Sequence, residues 1–196
     1  MNTLEAIQTR RSSRSYQKKP VPKELIEQVV QAGRFAPSGG NSQTSHIFVI
    51  TSSEILNTLR ELVFDAFFNM EEKEGMYRSM IASIRKAKNG SKEFFYQAPC
   101  LIVVANKKDY GNNLADTGCF IENMMLAANE LDLGSCWINQ LKWLNEDPGL
   151  LKYFYQLGMK EDERIYGAMA LGYADTKDGL PPRNPLARTG NEVVYL

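Results

Sequence analysis

The chain has 196 residues, 43% of them apolar, and its 23 basic side chains balance 23 acidic ones. That neutrality excludes a general nucleic-acid footprint and a polybasic membrane patch, and the longest apolar run, CLIVVA at 100–105, falls far short of the roughly 20 residues that cross a bilayer. Cys100, Cys119 and Cys136 form no CxxC and accompany one histidine, which argues against a disulfide framework or a Cys/His metal site and for a reducing cytosol. The opening MNTLEAIQTR has no signal-peptide core, in keeping with a cytoplasmic location.

In chain order, Thr3 is placed to cap a short helix with Leu4 and Ile7 on its apolar side. TRRSSRSY follows at 9–16, with three arginines and three serines in eight residues. Pro22 suits a first helical residue, and Leu25, Ile26, Val29 and Val30 fall at helical spacing after it. RFAPSGGNSQTS at 34–45 is a loop, and HIFVI at 46–50 reads as a buried strand. Ser53 opens a helix whose apolar side holds Ile55, Leu56, Leu59, Leu62, Val63, Ala66 and Phe67. Residues 70–95 are highly charged yet carry Met and aromatic side chains, a pattern of helices and a mobile crossing segment outside the deep core.

PCLIVVANK at 99–107 predicts a strand buried on both faces. An apolar helix spans Leu114 to Leu133, with Gly134 as its stop. SCWIN at 135–139 is a short strand, Asp147-Pro148 starts a helix through Leu157, and IYGAMALGY at 165–173 is a further strand. Residues 177–196 form a proline-rich arm ending in NEVVYL, which is hard to bury on its own monomer and suited to embracing a second subunit. The pattern is α+β, one domain over 1–196 with a small sheet wrapped by helices.

Three constellations carry possible chemistry. Arg10, Arg11, Ser12 and Arg14 supply the fork of charged donors that a phosphate favours, and in an extended segment Arg10, Ser12 and Arg14 share one face. The same residues also suit a cationic helix end, or a kinase target. In APSGGNSQTS the glycines admit a ligand to the backbone while Ser38, Asn41 and Gln43 offer polar groups; an ordinary helix-to-strand connection has the same composition. Finally, LGSCWIN puts an indole at a strand end, and LGYADTKDGLPPRNP sends Arg183 out on a rigid arm. Neither GxGxxG nor GxxxxGK[ST] occurs.

The ordered set RRSSRSY, APSGGNSQ, GSCWIN and LGYADTKDGLPPRNP resembles the nitroreductase family of FMN-dependent oxidoreductases, from about Thr3 to Leu186. The resemblance implies a nitroreductase-like α+β fold with a mostly antiparallel sheet, and an intertwined homodimer with exchanged C-terminal arms and FMN at its interface. Arg10, Arg11 and Ser12 would hold the phosphate and ribityl chain, with Arg14 near the flavin N1 and O2 edge. Pro37, Ser38, Asn41 and Gln43 would approach from the second subunit. Trp137, Ile138, Asn139 and Gln140 would run along the isoalloxazine, and Gly172 and Arg183 would complete the phosphate clamp.

The implied reaction is ping-pong hydride transfer from NADH or NADPH through flavin N5 to a nitroaromatic, quinone or similar small acceptor. It needs no catalytic side chain and no metal, and leaves His46 structural. Dehalogenation, enone reduction, flavin destruction and FMN carriage without turnover are the alternatives. The chain departs from the family where Thr44-Ser45 replace Pro-Trp and where Asn139-Gln140 replace Glu-Gly. Arg188 is a distant substitute for a second phosphate cation, and residues 65–96 would cover the acceptor space.

Overall fold

In the computed structural model, which describes residues 1–196, four strands form one antiparallel sheet in the order β1-β2-β4-β3: β1 His46–Ile50, β2 Cys100–Lys107, β3 Gly134–Ile138 and β4 Glu163–Gly172. The apolar run of β2 lies at the centre, buried along its length except at Lys107. Its alternating side chains build two cores. Leu101, Val103 and Ala105 enter one, while Cys100, Ile102 and Val104 enter the other.

Seven helices fill the two sides: α1 Thr3–Thr9, α2 Lys23–Arg34, α3 Ser53–Phe68, α4 Arg78–Lys88, α5 Asn113–Glu130, α6 Gln140–Trp143 and α7 Pro148–Gln156. Helices α3, α4, α6 and α7 close the first core through Leu59, Ile84, Leu141 and Phe154. Helices α2 and α5 close the second through Val29, Phe120, Ile121 and Met124. No helix is long and apolar enough to cross a membrane.

Local chemistry sets several boundaries differently from the expectation. Asn2, rather than Thr3, caps α1 by accepting from the Glu5 N–H at 2.9 Å, and Ser52 caps α3. Pro22 stands one residue before α2. Asp147 accepts from the Leu150 N–H at 2.9 Å, so α7 starts where expected, and it stops at Gln156.

Gly134 is not the stop of α5. The chain turns at Asp132, whose φ is 61°, and the Leu133 N–H closes the helix end on the Ala128 carbonyl at 2.8 Å. Gly134 instead begins β3, paired with Gly172.

Two segments differ more. HIFVI is an edge strand rather than a buried one: nothing pairs with the outer side of β1, and Val49 is 45% exposed beside an open groove. Residues 70–95 reach the core after all, with Ile84 and Phe95 fully buried. Their charges stay at the surface in pairs, Arg85 with Glu72 at 2.8 Å and Lys92 with Glu61 at 2.5 Å, so an amphipathic helix and a Phe-Phe anchor fit beneath them. NEVVYL forms no strand within the chain, and Val193, Val194, Tyr195 and Leu196 are exposed.

Candidate functional site

The segment after α1 is zipped between two strand ends. Ser12 bridges Ser135 of β3 in parallel, with the Ser13 N–H donating to the Ser135 carbonyl at 2.9 Å. Tyr16 bridges Ala174 beyond β4, flanked by bonds from the Gln17 N–H to the Tyr173 carbonyl and from the Asp175 N–H to the Ser15 carbonyl. This extended path makes the expected face real. Burial raises the Cys136 thiol above its ordinary value, and Arg14, a hydrogen bond with Ser12, and Arg10 all oppose that rise. Ser12 is thus held at β3, with Arg10 and Arg14 near enough for their charges to be felt at its Cys136.

The charges on that face are largely uncommitted. Arg10 has only Glu122, at 3.7 Å, and Arg11 and Arg14 have no salt bridge. Gly172 sits where strand and segment cross. A Cβ there would meet Pro99 Cδ at 2.6 Å and Tyr16 Cδ1 at 3.0 Å, so its place is fixed by close packing. Beyond β3, the Trp137 indole N–H donates to Asn139 Oδ1 at 2.8 Å, and Gln140 Nε2 donates to Ser83 Oγ at 3.2 Å. The Ile138 side chain is buried, which leaves only its backbone to serve a ligand.

Gln140 also lines a cavity of about 270 Å³ between α3 and α4, with Phe64, Ser83, Lys86 and Tyr96. Tyr96 and Gln97 both take left-handed backbone, with φ of 61° and 57°. Strain of this kind concentrates at functional sites.

Arg183 arrives from the arm. It donates from Nε to Asn129 Oδ1 at 3.3 Å, bonds the Asn129 carbonyl, and pairs with Asp132 at 2.6 Å. Asn129 in turn donates from Nδ2 to the Ala6 carbonyl at 3.2 Å and to Thr9 Oγ1 at 3.1 Å. The arm and the arginine segment thus meet on one buried amide in the last turn of α5. Arg188 makes no such link and lies exposed on the arm.

The loop carrying Pro37, Ser38, Asn41 and Gln43 is not brought there. It is fastened to the first turn of α5, where Asp116 Oδ1 accepts from the Gly39 N–H at 3.1 Å. Thirteen helical steps from Asp116 to Asn129 separate these two anchors by about 20 Å. Within one chain the predicted residues are spread along α5: Arg183 is tied to Asn129 near its end, Arg10 reaches Glu122 at its middle, and Trp137 packs beside Thr117 near the Asp116 anchor of the loop.

Sequence reasoning missed Asp116, Asn129, Ser83, Lys86 and Tyr96. For the first two a signal existed: each is a polar residue on the apolar stripe of α5, four before Phe120 and four after Met125 respectively.

The description "Nitroreductase family" matches residues 7–173, most of the chain. The chain belongs to the nitroreductase family. The family fold is also seen in a nitroreductase with bound FMN from Bacteroides fragilis NCTC 9343, with a TM-score of 0.87 and 31% identity over 100% of this chain and 99% of that one. A second FMN-bound nitroreductase, from Desulfitobacterium hafniense DCB-2, matches with a TM-score of 0.81 at 25% identity over the same shares. Among curated relatives, the nitrobenzene nitroreductase of Ectopseudomonas oleovorans is 26% identical over 86% of this chain and 85% of its own length. The NADPH-flavin oxidoreductase of Vibrio harveyi is 25% identical over 99% of this chain and 75% of its own.

The arginine segment here presents the guanidinium groups of Arg10 and Arg14, the second of them unpaired, and the Ser12 hydroxyl beside β3. That donor set fits a phosphomonoester carrying nearly two negative charges.

Proposed function

We propose that this nitroreductase is a homodimeric, FMN-dependent NAD(P)H oxidoreductase of the cytosol. FMN bound across the dimer would supply hydride-transfer chemistry between NADH or NADPH and a nitroaromatic, quinone or related small acceptor, in a ping-pong cycle. The observation that carries this reading is the split site. The arginine segment is tied through Thr9 to Asn129 late in α5 and the 37–43 loop to Asp116 early in it, and a second copy running antiparallel along that helix would bring the loop of one chain to the arginine segment of the other. The outward side of α5 suits such a neighbour, with Leu114 and Cys119 exposed beside the small residues Ala115 and Gly118.

The arm supports the same dimer. The outer edge of β1 is open, and beside it runs a groove of about 1290 Å³ lined by Ile26, Val30, Val49, Leu56 and Pro99. An extended apolar segment of a second copy, such as residues 192–196, has both a strand edge and an apolar trough to occupy there.

Arg10, Arg11, Ser12 and Arg183 would hold the phosphate, and Arg14 would place a cation at the polar edge of the ring, favouring its negatively charged reduced form. Trp137, Asn139 and Gln140 would orient the ring beside the α3–α4 cavity. None of the titratable groups beneath the segment is poised to move a proton. Burial raises Tyr16 and Cys136 above their ordinary values, so both stay protonated, and the Tyr16 hydroxyl is spent on the Ser13 carbonyl at 2.8 Å.

Anaerobic titration of the purified yellow protein with NADH or NADPH should bleach the flavin bands, and a nitroaromatic or quinone should restore them. A flavin that neither nicotinamide reduces would leave a carrier rather than an enzyme.

A further inference from the structure

The 37–43 loop holds an unfavourable shape. Gly40, Asn41 and Gln43 take φ values of 59°, 54° and 49°, so three of four consecutive residues are left-handed and two of those are not glycine. Bonds inside the loop, from the Gln43 N–H to Ser38 Oγ at 3.1 Å and from Gln43 Nε2 to Asn41 Oδ1 at 3.0 Å, tie it only to itself.

Its outside fastenings converge on two side chains. Asp116, 6% exposed, accepts the Gly39 N–H with one oxygen and the Tyr110 hydroxyl, at 2.9 Å, with the other. That hydroxyl also lies 3.1 Å from the Gly39 carbonyl and accepts from Ser42 Oγ at 3.0 Å. Gly39 is gripped so closely that a Cβ would stand 2.6 Å from the Tyr110 oxygen and 2.1 Å from Asn112 Nδ2. Asp116 lies in the first turn of α5, yet both oxygens point away from the N–H groups of its own helix, toward the loop and Tyr110.

We propose that Asp116 and Tyr110 are positioning residues that impose the loop's shape and so set the affinity of the flavin seat in the opposite subunit; this rests on the dimeric FMN reading above. A buried carboxylate with one backbone and one phenolic donor is a stiff fixture, because releasing either donor leaves buried charge unpaired. The loop then meets its ligand preformed, without an ordering cost at binding.

The test is FMN release from the holoenzyme, followed by flavin fluorescence on dilution, with dimer size and apoprotein melting measured alongside. Tyr110→Phe keeps the ring and removes only the hydroxyl. It should weaken FMN about tenfold while the dimer persists. Asp116→Asn can rebuild the brace, accepting from Gly39 and donating to Tyr110, and should bind within about threefold of wild type. A purely structural loss would instead follow melting temperature in both variants.

Mixed dimers separate the subunits. Pairing a Tyr110→Phe protomer with an Arg14→Ala protomer puts both losses in one seat and leaves one tight FMN per dimer. Placing both substitutions in one protomer opposite a wild-type one damages each seat and leaves none. Tight binding by Tyr110→Phe, or the reversed pattern in the mixed dimers, overturns the proposal. A wild-type protein that takes up no FMN overturns the underlying reading as well.

Discussion

Arg14 is exposed and has no ion pair, yet its charge reaches the buried thiol of Cys136 across the strand edge. A cation left free beside an extended segment is available to a ligand, and removing it should be felt in two ways. Arg14→Ala should lower the flavin reduction potential and weaken FMN roughly tenfold, the scale of one lost hydrogen bond to a charged group. Potentiometry with a reference dye checks the first effect, and an unchanged potential would place Arg14 away from the ring. The shared face of Arg10, Ser12 and Arg14 was legible because it needs only the two-residue period of extended chain. The meeting of Arg183 with Thr9 on Asn129 was not, since it depends on an arm folding back across 54 residues of sequence.

At the scale of elements, periodicity located all four strands and the principal helices because each has an apolar stripe or run of its own. It failed where the deciding partner is distant in the chain. HIFVI looks buried by composition, but its place at the sheet edge follows from topology. NEVVYL looks like a strand, but a strand needs an edge to pair with, and neither sheet edge of its own chain takes it up.

Truncation after Asp178 removes both that segment and Arg183. It should loosen the dimer at micromolar concentration and release FMN, read by size exclusion with flavin absorbance; a truncated protein that stays dimeric and yellow contradicts the arm's role. Helix α5 gives a second check. Burial holds the Cys100 thiol up at about 12, and Cys136 is raised too, which leaves exposed Cys119 as the reactive thiol of a single chain. In a dimer packed along α5, Cys119 should resist alkylation by iodoacetamide until dilution separates the subunits. Rapid labelling of the concentrated protein would remove α5 from the interface. For α7, Asp147→Ala deletes the side-chain cap and should cost about 1 kcal/mol, a fall of roughly 2–4 °C in the apoprotein Tm.

The whole molecule is a sheet between two helical layers, and its candidate site residues are spread along one helix, α5. In the proposed dimer, a single chain folds a complete core and contributes to two seats. Family and fold class could be read from local patterns, whereas the proposed completion of the site by a second copy would rest on a symmetry operation that local patterns do not contain. Sedimentation velocity of the holoprotein over a dilution series, recorded at a flavin wavelength, examines that dependence directly. Flavin absorbance should travel with the dimer alone and appear as free FMN as the dimer dissociates. A sedimenting monomer that retains FMN at undiminished occupancy would contradict a seat shared by two chains.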